Sequence, residues 1–205
     1  IGRKEIDLII GTQMVAKGHD FPGISLVGIL LADASLNLTD FRAAERTFQM
    51  ITQVSGRAGR GEHPGEVILQ SFLPDHPTLV CASEHRISDF YQNELRSREV
   101  FGYPPYQRLA MIRFQHRNPK TVEAFAQHIA QSLCRENTRL GGHSKIIGPA
   151  EAPLSRLKGL HRWQCLVKCP TVKGLKVLLS YAQAVASGLK SSVSLAVDVD
   201  PVHLM

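Results

Sequence analysis

The sequence predicts a mixed α/β protein in two parts: the closing half of a parallel sheet with its helix, then a small α+β sandwich in βαββαβ order. Three observations support this. Between residues 1 and 75, short β-branched apolar runs alternate with a stretch of helical periodicity. Gly102-Tyr103-Pro104-Pro105 then breaks the chain with residue types that favour turns and extended backbone. The charge reverses at the same place: residues 1–104 carry 10 Lys/Arg against 13 Asp/Glu, and residues 105–205 carry 14 against 5. The expected segments are therefore 1–75, a helical connector over 76–104, and a basic sandwich over 105–205.

Ile6–Gly11 and Leu26–Leu31 are continuous apolar runs and read as buried parallel strands. Phe41 to about Arg57 lacks Gly and Pro before Gly56 and repeats apolar residues at helical spacing, with Asp40 the expected N-cap. Arg42, Glu45 and Arg46 lie three and four apart on that helix, which favours an internal salt-bridge network over contact with an outside ligand. Gly65–Phe72 supplies a further strand. Residues 76–101 read as one or two helices.

Beyond the break, strand Leu109–Gln115, helix Thr121–Leu140, strands Ser144–Ala150 and Arg162–Lys168, helix Val172–Leu189 and strand Val193–Val199 follow in order. Arg113 and Arg117 are expected on one strand face, and Arg156, Lys158, His161 and Arg162 cluster around Gly159. Basic groups gathered on one side of a small sheet suit a nucleic-acid or acidic-peptide partner. A merely soluble surface is the bland alternative. For Trp163, burial in the core is favoured over stacking on a base.

No apolar run approaches the ~18 residues of a membrane span. Cys81, Cys134, Cys165 and Cys169 contain no CxxC pair. Cys165 and Cys169 fall on one strand face, where a shared zinc would lack partners, so buried reduced thiols are expected. The chain opens at Ile1 straight into an apolar run and reads as a piece of a longer protein.

The motif most charged with meaning is Gln53-Val54-Ser55-Gly56-Arg57-Ala58-Gly59-Arg60. Two arginines three apart, separated by small residues, let a polyanion approach closely. Upstream runs Gly11-Thr12-Gln13-Met14-Val15-Ala16-Lys17-Gly18-His19-Asp20-Phe21-Pro22. Order and spacing resemble motifs V and VI of the superfamily 2 helicases. Leu31-Ala32-Asp33-Ala34, Asp40–Arg46, Tyr103-Pro104-Pro105-Tyr106, Arg162-Trp163-Gln164 and Val197–Pro201 further resemble the replication-restart, or primosomal, branch of that superfamily. The likeness covers the whole chain.

That resemblance implies the closing half of a RecA-like second helicase lobe, then a domain similar to ribosomal protein S10, a variant of the ferredoxin-like sandwich. It implies an ATP-dependent 3′–5′ DNA helicase that recognises stalled forks and directs primosome assembly. Arg60 would be the arginine finger, Arg57 a phosphate contact and Gln53 a group positioning the γ-phosphate or its water. Gly18, Asp20 and Gly56 would approach nucleotide, while Thr12, Gln13, Lys17 and Arg113 would contact DNA. Lys158, Arg162 and Gln164 would hold the acidic, aromatic tail of the single-stranded DNA-binding protein, although Leu160-His161 departs from the basic-aromatic pair usual in relatives. Implied partners are forked and single-stranded DNA, that protein, other primosome proteins and the replicative helicase loader, in the bacterial cytoplasm and without a membrane. ATP and Mg²⁺ would bind the full-length protein, with a zinc region before Ile1 and no cofactor on this stretch. Without a G-x-x-x-x-G-K-[ST] loop or a DExH box, the chain alone is not expected to hydrolyse ATP. The alternatives are a non-catalytic module docking fork DNA and the protein tail, or a ribosomal-type RNA-binding domain.

Overall fold

The computed structural model describes residues 6–12, 24–56, 58 and 65–204. The fold is mixed α/β with two sheets, one in each of two compact units, residues 1–96 and 97–205. Among the described residues no helix is long and apolar enough to cross a membrane.

In the first unit β1 (Leu26–Ile29) and β2 (Glu66–Leu69) pair in parallel as a two-stranded sheet. Helices α1 (Ala43–Ser55) and α2 (Pro77–Ser83), with the start of α3 (Ile87–Phe101), cover it. Ile29, Phe48, Ile51, Leu79 and Phe90 form the core, where the Phe48 and Phe90 rings stack with centroids 4.0 Å apart. Asp33, 5% exposed, ties the two strand ends together by accepting from Ser71 Oγ at 2.8 Å and from the Phe72 N–H at 3.2 Å. The Ser71 hydroxyl, aided by backbone donors and opposed by burial, holds this carboxyl below its ordinary value.

Two expectations for this unit are corrected. Ile6–Gly11 is not a strand: Leu8 and Ile10 are 73% and 86% exposed. A β-branched run supplies propensity, but a strand also needs a ladder partner, and β1 takes β2. Asp40 is not the N-cap either. The helix begins two residues later behind Arg42, because the fully buried Asp40 carboxylate accepts the Arg42 N–H and the Arg46 guanidinium, each at 3.0 Å. A turn therefore precedes the first helical residue.

The second unit runs β3 (Arg108–His116), α4 (Pro119–Arg139), β4 (Lys145–Leu157), β5 (Leu160–Cys169), α5 (Val172–Gly188) and β6 (Ser194–Val199). All pairings are antiparallel, in the order β4-β5-β3-β6. Asn118 Oδ1 accepts the N–H groups of Lys120 and Thr121 at 3.0 and 3.2 Å, and Pro119 occupies the first turn, so local chemistry alone starts α4. Thr171 Oγ1 caps α5 in the same way. Ala110, Ile112, Phe114, Cys165 and Val167 point from the sheet into a core closed by Val122, Ile129, Leu133 and Leu178 of the helices. Burial pushes the Cys165 thiol up to about 12, the behaviour of an apolar core residue.

Here the strands differ from expectation in length. β4 continues to Leu157 instead of stopping at Ala150, through two shifts of register against β5. Gly148 permits the first shift: its φ is +97°, and a Cβ would lie 3.0 Å from the Gln164 carbonyl. β3 ends at His116, so Arg117 lies outside the strand and does not share a strand face with Arg113. The reason is local, since His116 Nδ1 accepts the Asn118 N–H and the chain already turns toward the α4 cap.

Candidate nucleic-acid and partner interface

Alternation along β3 and β5 divides the second sheet into a face under the helices and an opposite face. Arg113 pairs across the ladder with Gln164, and Gln115 with Arg162. These four side chains therefore form one polar block on the face away from the helices, at cross-strand spacing. Trp163, of opposite parity, packs partly buried against the helical core, the placement favoured by sequence.

The two arginines of the block stand in different states. Arg113 is engaged: Nη1 lies 3.7 Å from Asp198 Oδ2, Nε donates to Met111 Sδ at 3.2 Å, and Nη2 donates to the His203 carbonyl at 3.5 Å. Arg162 donates from Nη1 to the Leu154 carbonyl at 3.3 Å, a contact offered by the irregular stretch of β4. Its Nε is buried and has no acceptor. A guanidinium donor buried without a partner carries a desolvation cost.

Lys158 occupies the two-residue turn joining β4 to β5, at φ +50° beside Gly159 at +78°, and is exposed at the hairpin tip. Both values suit a primed turn, which matches strand twist. Arg156 and His161 pair across the strands just below that tip, so the basic cluster read around Gly159 is one hairpin end. Lys158, Arg162 and Gln164 thus lie along one hairpin, with Arg113 beside Gln164 on the next strand.

In the first unit Gln53 is exposed near the end of α1, and Gly56 follows as its C-cap at φ −66°. Thr12 is exposed at the end of the irregular segment. Arg57, Arg60, Gln13, Lys17, Gly18 and Asp20 lie outside the described residues. Among the described residues no group of three His, Cys, Asp or Glu side chains is placed to hold a metal.

Sequence reasoning missed three residues of the open face. Gln115 was available from the two-residue period. Asp198 as the partner of Arg113 needed the β3–β6 register. Lys168, read only as the end of a strand, is 3% exposed on the same face; burial, and then the charge of Lys145, lower its pKa.

The model of the primosomal protein N C-terminal domain matches residues 99–202. The replication restart protein PriA of Bacillus subtilis is 39% identical over 100% of this chain and 25% of its own length. The chain belongs to the primosomal replication-restart (PriA) family. PriA of Synechocystis is 45% identical over 98% of the chain and 24% of its own length, and PriA of Haemophilus influenzae 38% identical over 96% and 27%. The chain thus spans about a quarter of the length of these PriA relatives. The designed protein Foldit4 overlays 47% of the chain with a TM-score of 0.38 at 10% identity, too slight a likeness to bear on the PriA fold.

Proposed function

We propose that this chain is the C-terminal part of an ATP-dependent 3′–5′ DNA helicase that recognises stalled or repaired forks and directs primosome assembly. The observation that carries the reading is PriA-family similarity along the whole chain. The first unit is then the closing half of a RecA-like second lobe, and the second an S10-like, ferredoxin-like domain. ATP and Mg²⁺ would be held mainly by parts of the full-length protein outside this chain. Arg60 acts as the arginine finger, Arg57 contacts the phosphates, and Gly18 and Asp20 approach the nucleotide. The exposure of Gln53 beside the small Gly56 fits groups that meet a nucleotide from this side. Thr12, Gln13 and Lys17 follow the DNA strand. Arg60→Ala in the full-length protein is expected to abolish DNA-dependent ATPase while DNA binding survives; retained turnover sinks the assignment.

A second reading is favoured by the gathering of Lys158, Arg162 and Gln164 along one hairpin, with Arg113 on the next strand. On it the second unit docks an anion without chemistry, either fork DNA reaching Arg113 or the acidic tail of the single-stranded DNA-binding protein held by Lys158, Arg162 and Gln164. Anisotropy of a labelled fork and of a labelled tail peptide, titrated with the 205-residue chain across salt concentrations, separates the two. Charge reversal at Lys158 and Arg162 is expected to remove the tail complex. An unchanged tail affinity rejects that pocket.

A further inference from the structure

Lys168 is the one buried Lys or Arg among the described residues. No carboxylate pairs with it there. Its Nζ donates to the Phe101 carbonyl at 2.9 Å and lies 3.3 Å from the centroid of the Tyr103 ring. Phe101 is the last residue of α3. That helix ends with Gly102 at φ +63°, the Gly102 N–H donating to Glu99 O at 3.1 Å and the Tyr103 N–H to Arg98 O at 2.8 Å. This pair of bonds is a Schellman cap, and it leaves the final carbonyls of the helix unsatisfied. Lys168 supplies a charged donor to one of them, at the negative end of the helix dipole. The Tyr103 ring adds cation–π attraction, which strengthens where water is excluded.

Lys168 shares the open face with Arg162 and Gln164, opposite Leu109 in the ladder. Leu109 and Met111, on that same face, are each 1% exposed although they lie outside the core beneath the helices. One end of the face is therefore covered, whereas Gln115 and Arg162 at the other end are only half-buried.

We propose that Lys168 is a positioning residue that pins the end of α3 and the Gly102–Gln107 segment onto the sheet, fixing which part of the open face is closed and which receives a ligand. The pin does not depend on the identity of that ligand. Lys168→Met in the full chain tests it, because Met keeps the stem length and removes only the charge and its donors. Hydrogen exchange is expected to accelerate about tenfold or more at the Gly102, Tyr103 and Tyr106 amides, as for a local opening, with Ile112 and Cys165 unchanged. Unaltered exchange at those three amides overturns the proposal. So does acceleration spread evenly through β3 and β5, which would make Lys168 a support of the whole sheet. A second variant, Tyr103→Leu, reads the same contact from the other side by amine acylation. Lys168 is expected to acylate about tenfold faster relative to exposed Lys120 once its cover loosens; an unchanged ratio overturns the proposal as well.

Discussion

Sixteen buried apolar residues drawn from a four-stranded sheet and two helices make the core of the second unit, whereas eight described residues make that of the first. The first unit also leaves Ile10, Leu30 and Phe72 more than three-quarters exposed. Among its described residues the sheet has two strands, few for an independently stable sheet. The second unit closes its apolar face by itself. The first carries motif residues on a scaffold with much apolar surface still in contact with water, so stability and the proposed catalytic role are concentrated in different parts of the chain.

The comparison breaks first if the second core is not the stronger one. Phe114 is fully buried, and Phe114→Ala is expected to cost about 3–5 kcal/mol. Denaturant unfolding followed at Trp163 should show this as an earlier transition. A midpoint that does not move would mean the core is not cooperative. Next in size is Gly148→Ala, at about 1–3 kcal/mol, because a side chain is forced onto positive φ against the β5 backbone. The same unfolding curve reads it.

Acid acts on a carboxylate in each unit: Asp33 in the first, and in the second Glu136, which its hydrogen bond from Arg139 holds below the ordinary value. The Asp33 pKa is depressed in the fold, so its contribution is fully present above the ordinary carboxylate value and is lost as pH falls through the depressed one. Thermal melts below about pH 4 should therefore lose stability in the first unit, and Asp33→Asn should flatten that dependence. An identical slope in the variant would assign the acid sensitivity elsewhere. The smallest effect is expected at the hairpin tip. Lys158→Gly removes a left-handed non-glycine residue but adds unfolded-state freedom, for a net change of about 0.5 kcal/mol or less. Stability near wild type with weakened anion binding would show that Lys158 serves a ligand rather than the turn.

What sequence revealed followed from local chemistry. The stretch Thr121–Leu140 reads as the helix that is α4, and the spacing of Cys165 and Cys169 puts both on the one buried face of β5. Arg162 and Gln164 are grouped by the family resemblance alone. What stayed hidden depended on distant partners. Ile6–Gly11 had strand composition without a ladder to join, and the Asp40 carboxylate holds the Arg42 N–H and the Arg46 guanidinium at a turn ahead of the helix. The bend that lengthens β4 turns on how closely Gly148 meets the Gln164 carbonyl. Lys168 was the extreme case, because its burial depends on a ring and a carbonyl more than sixty residues earlier. The motif V and VI side chains fall mostly outside the described residues, so their roles rest on resemblance.

The irregularity of β4 has a consequence for the molecule among its own copies. β4 is an outer strand of the sheet, and an open edge is a template on which another chain can polymerise. Pro149 and Pro153 offer no N–H along that edge, and the two register shifts prevent a straight run of free donors and acceptors. The strand that shapes the Arg162 environment is thereby a poor template for an intermolecular sheet.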